Sequence, residues 1–286
     1  MKNNTMKKLV AIPVSKLHPF EGHPYKVLDT EEMYSLIDSI QTQGILSPLI
    51  VRPMEDTTDE YEVVSGHRRL HAAQKAGLET VPALIHAIDR DTAAIAVVDS
   101  NLHREHILPS EKAFAYKMKA DALSHQGRTS GQFVPKSDDA RTTAQIGEPY
   151  GESYKTVQRY IRLTHLIPEL LDWMDEGKMA LSVGVELSYL DEQLQREVLD
   201  TCEHYDCTPS YSQAVRLHRA FRDGDIDTDT IQSIMQEEKA NQREMFKVPM
   251  DRIRKYFPQS YTAAQIEDAI VKFCERDYRR RADRER

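Results

Sequence analysis

The sequence has little cysteine. Cys202, Cys207 and Cys274 are odd in number and lack C-x-x-C spacing. A disulfide framework and a cysteine zinc site are therefore not expected, and the thiols read as partly buried residues on helices. No apolar run approaches the roughly 20 residues needed to span a bilayer. The polar, basic start, Met1 to Lys8, leads only into Leu9–Val14, too short for a secretory core segment. A cytoplasmic protein with no membrane partner is expected. An excess of positive charge is missing too, the net charge being -8. That would argue against nucleic acid, but phosphate contacts are local and are screened beyond about 10 Å.

Charge distribution is more telling than the sum. Arg141 to Pro168 carries four Lys/Arg (Arg141, Lys155, Arg159, Arg162) against Glu148 and Glu152. Glu169 to Asp206 then carries eleven acids against two bases. This pattern suits one DNA-facing element on an acidic body. With 286 residues, the chain is long enough for two or three small domains.

The first ~125 residues alternate strand and helix signals. Val10–Val14 reads as a strand. Thr30 precedes a helix with Met33, Leu36, Ile37 and Ile40 on one stripe, stopping at Gly44. Leu49–Val51 and Tyr61–Val64 read as a hairpin across a polar loop. A helix from about His67 to Ala76, a strand Val81–Ile85 and a helix from Thr92 to about Asn101 follow. Pro109-Ser110-Glu111 opens a long helix expected to stop at Gly127. Gly127 to Asp139 is Gly-, Ser- and Pro-bearing and polar, which predicts a hinge. Beyond it every signal is helical to about Ala220. An acidic turn, Gly224–Thr230, precedes helices over about 231–246 and 263–279. The last opens on a capping-box pattern, Thr262 to Gln265. The expected division is 9–126, a linker 127–140, 141–222, and a helical segment 223–286.

Two places carry chemistry. Ser65-Gly66-His67-Arg68-Arg69 lies where a strand becomes a helix. Helix-starting N–H groups lack internal partners and attract anions. A glycine admits a ligand to the backbone, and two guanidinium forks hold phosphate oxygens. Asn101-Leu102-His103-Arg104-Glu105 closes one helix just before the next begins. Asn101 suits a base edge or phosphate there, and Glu105 suits Mg2+, which binds through few carboxylates plus substrate phosphates. The plainer alternatives are a strand-to-helix turn with surface arginines and a capped junction with an intrahelical ion pair.

The second place is Ser153 to Leu163. Ser153 is a good N-cap, and Val157, Tyr160 and Ile161 share a packing face. Lys155, Thr156, Gln158, Arg159 and Arg162 are left outward, as in a recognition helix reading a groove and its phosphates. An ordinary amphipathic surface helix is the alternative. Upstream, Gly147 and Pro149 are expected to shorten or break the supporting helix.

Gly66-His67-Arg68-Arg69-Leu70-His71-Ala72-Ala73 resembles the G-E-R-R-x-x-A-A signature of ParB N-terminal domains. Asn101-Leu102-His103-Arg104-Glu105 resembles the E-N-L-Q-R-E element that follows it. Leu17-His18-Pro19-Phe20 through Pro24 occupies the place of the family's first element. Leu36 to Arg52 resembles its S-I-x-x-x-G-x-x-x-P-L-x-V-R stretch. Ile167-Pro168-Glu169-Leu170-Leu171 and Gly177-Lys178 follow the Ser153–Leu163 helix in the family's order, as segments resembling its L-P-x-x-L and G-K elements.

The resemblance implies an α+β ParB/sulfiredoxin-like domain, then an all-α helix-turn-helix domain and a helical C-terminal segment that dimerises. It implies a DNA clamp that binds CTP with Mg2+, loads at a centromere-like site in double-stranded DNA and works with a ParA-type ATPase on nucleoid or plasmid. Gly66, His67, Arg68, Arg69, Asn101, Arg104 and Glu105 fall on its nucleotide-binding positions, with Glu105 towards the metal. Ser153, Lys155, Thr156, Gln158, Arg159 and Arg162 fall on its DNA-binding helix. Two family glutamates are replaced, by His67 and Ser100. Neither replacement supplies an anionic carboxylate to Mg2+ or to an attacking water, so weak or absent CTP hydrolysis is expected. Sulfiredoxin chemistry is excluded, since it needs a cysteine in this turn and none precedes Cys202. A regulator or nucleoid-occlusion factor of the same fold is one alternative role. A nuclease or kinase is the alternative of another class.

Overall fold

The computed structural model describes residues 8–55, 57–104, 106–129, 139–237 and 248–282. The chain divides into two compact units, Met1–Glu237 and Glu238–Arg286.

The first unit opens with a five-stranded mixed sheet. Its strands are β1 (Lys8–Pro13), β2 (Leu17–Pro19), β3 (Leu49–Pro53), β4 (Tyr61–Ser65) and β5 (Thr80–Ile85), in the order β1-β5-β3-β4-β2. The hairpin expected from the polar loop is the antiparallel β3–β4 pair, with Val51 opposite Val63. The parallel edge strand β2 was not foreseen, because three residues are too few to show a period of two. Helices α1 (Glu31–Gln43), α2 (His67–Lys75), α3 (Arg90–Asp99) and α4 (Pro109–Thr129) complete this half.

Successive strand residues point to opposite faces, so neighbouring valines serve different cores. Val63 packs with Leu49, Val51 and Leu70 on the α2 side. Val64 packs with Phe20, Ala93, Val97 and Ala122 on the α3–α4 side. The sheet is thus covered on both faces. Met33 and Ile40 of the α1 stripe are buried against Ala72.

Helix α4 runs past Gly127 to Thr129, beyond the stop expected there. One glycine weakens a helix by about 1 kcal/mol but does not end it. Its other side meets the helical half. Tyr25, Val98 and Leu102 from the sheet half share a core with Ala115 and Tyr116 of α4, and with Ile146 and Val157 beyond it. The helices that follow are α5 (Asp139–Gly147), α6 (Tyr154–Leu163), α7 (Pro168–Asp175), α8 (Leu181–Leu187), α9 (Glu192–His204), α10 (Tyr211–Asp223) and α11 (Thr228–Gln236). Leu163, Leu170, Leu187, Val198, Leu217 and Ile231 are fully buried in their common core. Helix α11 starts three residues before the expected Ile231, because Asp227 caps it by accepting the Thr230 N–H at 2.8 Å. The expected continuation over 238–246 lies outside the described residues. Cys202 is buried in the helical core, whereas Cys274 is exposed.

The second unit carries α12 (Met250–Arg254) and α13 (Ala263–Ala282). The capping box is present: Thr262 N–H donates to Gln265 Oε1 at 2.9 Å, and Gln265 N–H to Thr262 Oγ1 at 3.3 Å. Ile266, Ile270 and Phe273 recur on one side of α13 as the sequence spacing predicts; Ile266 is buried and Ile270 half-buried, whereas Phe273 is 56% exposed. No described helix is long and apolar enough to cross a membrane.

Candidate functional site

A cleft of about 660 Å³ opens at the junction of β4 and α2. Its floor is made by the turn at Gly66, whose backbone is left-handed at φ 106°. A Cβ there would lie 3.1 Å from Leu49 Cγ, so the position requires glycine for both reasons. The turn brings His67, Arg68 and Arg69 to the start of α2. Ser100, Asn101 and Arg104 come in from the end of α3. Gly66, His67, Arg68, Arg69, Asn101 and Arg104, expected together from sequence, therefore line one cavity. Glu105, the seventh expected ligand and the expected metal residue, lies outside the described residues.

The cations of the cleft are held by internal partners. Arg68 pairs with the exposed Glu32 of α1 at 3.3 Å. Arg69 donates to the Ser47 carbonyl and, at 2.9 Å, to that of Pro48. Half-burial lowers its pKa from the ordinary arginine value. Arg104 lies over the Tyr25 ring, 5.6 Å from its centroid. Asn101 is buried, and its Nδ2 donates to the Val97 carbonyl at 2.7 Å and to Ser100 Oγ at 3.2 Å.

His67 takes a different part from the one expected. The Phe20 N–H donates to its Nε2 at 3.3 Å, which commits that nitrogen to the backbone. Burial, then the neighbouring His23 and Arg104, push its pKa down to about 3. It is a neutral wall of the cleft, its ring tilted by 34° against that of His23 with centroids 3.6 Å apart. Ser100, exposed at the cleft wall, donates to the Val97 carbonyl at 3.0 Å.

The sequence signals place Leu17 to Pro24 in the family's first element but assign no cleft role to it or to Tyr25 and Lys26. His23, Tyr25 and Lys26 all line the cleft, as do Ser35 and Ser39 of α1. The two serines sit four apart, so one helix face delivers both. Lys26 reaches away to α7: its Nζ donates to Asp172 and to Asp175, each at 3.1 Å. Burial pulls its pKa down, but those hydrogen bonds outweigh it and hold the pKa above the ordinary lysine value.

Among the described residues no group of three or more His, Cys, Asp or Glu is placed to hold a metal. The described cleft lining offers one carboxylate, Glu32. A divalent ion there would depend on ligand phosphates and water for most of its coordination.

The helical half presents a second surface. Helix α5 ends at Gly147 and a 3-10 turn, Glu148–Tyr150, follows, which is the shortening expected from Gly147 and Pro149. The glycine has a further reason to be there. The Glu152 N–H donates to its carbonyl at 3.0 Å, and a Cβ on Gly147 would lie 2.4 Å from the Glu152 carbonyl oxygen. The tight turn sets α6 against α5. Ser153 caps α6, accepting the Thr156 N–H at 3.2 Å, and its hydroxyl also meets that of Thr156 at 2.9 Å. Lys155, Gln158 and Arg159 stand exposed on the outer face. Lys155 and Arg159 have no ion-pair partner among the described residues. Arg162, expected on that face, is half-buried. It donates to the Ser188 carbonyl at 2.7 Å and covers the Tyr189 ring at 4.1 Å. Its guanidinium fixes the end of α6 to the end of α8, which leaves less of it for a phosphate.

Polar anchors tie this turn to α4. Tyr150 donates to Asp99 at 2.8 Å, and Asp99 accepts from the buried Lys119 at 2.6 Å. Tyr116 donates to Glu152 at 2.9 Å, with Lys112 on the same carboxylate. Asp99 directly precedes the Ser100-Asn101 wall of the cleft, so cleft and turn share a support.

Comparison with known proteins agrees with this architecture. The ParB N-terminal domain family matches residues 1–102. The chromosome-partitioning protein Spo0J of Thermus thermophilus is 34% identical over 186 residues, covering 65% of this chain and 61% of that protein. The nucleoid occlusion protein of a Geobacillus species is 38% identical over 117 residues, 41% of each. The chain thus spans about three-fifths or less of the length of these relatives. A C-terminally truncated ParB from Caulobacter crescentus, complexed with CTP-γ-S, shares 25% identity and superposes with a TM-score of 0.32, covering 67% of this chain and 99% of that one. That superposition is too loose to transfer any contact. Residues 1–102, with their glycine-arginine turn, are thus a domain of the ParB N-terminal family.

Proposed function

We propose that this chain is a DNA-binding partition protein that acts as a CTP-responsive clamp. One observation carries the reading: four cations, Lys26, Arg68, Arg69 and Arg104, gather in a cleft at a helix start. That charge and those orphan N–H groups suit a triphosphate. The exposed Lys155, Gln158 and Arg159 of α6 suit a duplex groove, with phosphate contacts giving affinity and base contacts giving sequence. In this reading residues 9–126 bind nucleotide, 141–222 bind double-stranded DNA, and 223–286 pair two copies. The exposed Val271 and Tyr278, seven positions apart on one side of α13, supply apolar area for that pairing. A two-fold dimer would match a palindromic site.

Mg2+ would be held by the nucleotide's own phosphates, with Glu105 as the candidate protein ligand. The metal screens phosphate charge, while the arginines and the Gly66 turn fix the phosphate positions. CTP turnover is weak or absent, since neither His67 nor Ser100 carries a carboxylate. A ParA-type ATPase is the expected partner, and the nucleoid or a plasmid in the cytoplasm the expected place. A nucleoid-occlusion role uses the same chemistry, and the 38% identity to a protein of that name supports keeping it as the second reading.

The test is cross-linking of cysteines introduced into the 9–126 region of the full chain, after Cys274→Ser removes the exposed native thiol. Cross-linking that requires both CTP and a duplex supports the clamp. No CTP binding by calorimetry, or metal-dependent nicking of plasmid DNA lost in Arg68→Ala, would replace it with an enzyme. Chromosome mis-segregation on deletion separates partition from occlusion, whose loss instead permits division over the nucleoid.

A further inference from the structure

Among the cleft cations Lys26 differs in where its partners come from. Glu32, which holds Arg68, and the carbonyls that hold Arg69 belong to the sheet half. Asp172 and Asp175, which hold Lys26, are on α7 of the helical half. One ammonium thus reaches both the cleft lining and a helix of the DNA-facing half.

The contact is built so that it can be given up at little cost. Asp175 is 7% exposed, but it also accepts the Ser110 N–H at 2.9 Å and the Ser110 hydroxyl at 2.5 Å. Losing Lys26 therefore leaves it hydrogen-bonded. Asp172 is 60% exposed, so water replaces Lys26 there. Lys26 itself is anchored by its backbone, whose N–H donates to Glu111 Oε1 at 2.8 Å. Its flexible side chain can then swing without unseating the segment. An exposed ion pair such as that with Asp172 is worth little, and a polyphosphate offers the ammonium more charge than these two carboxylates.

We propose that Lys26 is a phosphate ligand exchanged between the cleft and α7, so that filling the cleft loosens α7 from the sheet half. The proposal rests on the nucleotide reading of the cleft. Reciprocity of linked equilibria gives its converse: weakening the α7 contact strengthens nucleotide binding.

The full-length protein is titrated calorimetrically with CTP and Mg2+ as wild type, Asp172→Asn, Lys26→Gln and the double variant. Asp172→Asn touches an exposed residue whose partner is Lys26, so folding is spared. It is expected to tighten CTP binding by about threefold, as an exposed pair released from competition would. Lys26→Gln is expected to weaken binding by a comparable factor, and in that background Asp172→Asn should change nothing. Amide exchange adds a readout that a static role would not move. CTP should speed exchange at Leu170 and Leu171 in the wild type and not in Lys26→Gln. If Asp172→Asn acts equally in both backgrounds, its effect is through-space charge and the exchange is wrong. If it acts in neither while the wild type binds CTP, the exchange is likewise wrong. A wild type that binds no CTP overturns the nucleotide reading itself, and the exchange falls with it.

Discussion

The cleft at Gly66 and the outer face of α6 are both basic, yet their cations are in opposite condition. In the cleft Lys26, Arg68 and Arg69 are committed to aspartates, a glutamate and carbonyls, and Arg104 lies on an aromatic ring. On α6 Lys155 and Arg159 project without ion-pair partners among the described residues. A ligand entering the cleft must win its cations from internal partners, so binding there is coupled to the rest of the fold. A duplex meeting α6 finds its cations available, so binding there is governed by salt and by the fixed pose of the helix. The cleft is suited to respond, the helix face to hold.

The largest test of this contrast is aimed at the pose of α6. Gly147→Ala places a Cβ 2.4 Å from the Glu152 carbonyl oxygen and 2.9 Å from Val157 Cγ2. A loss of about 3 kcal/mol is expected from such overpacking, read by urea denaturation. DNA affinity should fall further than stability alone explains. An unchanged midpoint would mean that the turn is not what sets α6.

Gly66→Val comes next. A β-branched residue at φ 106° is strained by about 1–3 kcal/mol, besides crowding Leu49. Nucleotide binding should drop beyond tenfold by calorimetry, with DNA binding in the absence of nucleotide retained. Loss of both together would erase the distinction between the two surfaces.

Removing the free cations should have a smaller and salt-dependent effect. Arg159→Ala and Lys155→Ala are each expected to weaken duplex binding by about tenfold or less and to lower the salt slope by about one. Fluorescence anisotropy across a salt series measures both. Arg162→Ala should behave differently, lowering thermal stability by detaching α6 from Ser188 rather than changing the slope.

The smallest effect is a pH dependence seated in the cleft. His67 has its pKa lowered to about 3 by burial, against 6.5 when exposed. Between those values the unfolded chain binds a proton that the folded chain refuses. The histidine therefore lowers stability as pH falls through 6.5 towards 3, and contributes no slope above 6.5. His23 is shifted in the same direction, also by burial first. Urea midpoints between pH 7.5 and 5, where most carboxylates stay ionised, should decline less steeply in His67→Gln. An identical slope would show His67 to be solvated and free to meet a ligand.

How much of this was written in the sequence differs between the same two regions. Helix α6 comes from one continuous stretch, and its cap, packing face and outward basic residues follow from a 3.6-residue period. It was legible, apart from Arg162, whose partner Ser188 lies 26 positions on. The cleft draws on residues 23–27, 32–39, 65–69 and 100–104, and the local signals said only that two of these pieces favour anions. The expected role of His67 shows the limit. Its position in the glycine-arginine motif suggested a ligand, but the Phe20 N–H takes its Nε2, a contact that does not follow from spacing.

What the sequence determined by itself is local: where helices start and stop, which side of each is apolar, the strand pair around the polar loop, and the glycine that turns β4 into α2. These follow from periodicity, capping and backbone sterics, which act over a few residues. Tertiary structure alone decided the edge strand β2, the sharing of α4 between sheet and helices, and the internal partner of every cleft cation. Those depend on charges and hydrogen-bond groups brought together from distant positions, whose energies vary with burial and ångström-scale distance, and no window along the chain contains them.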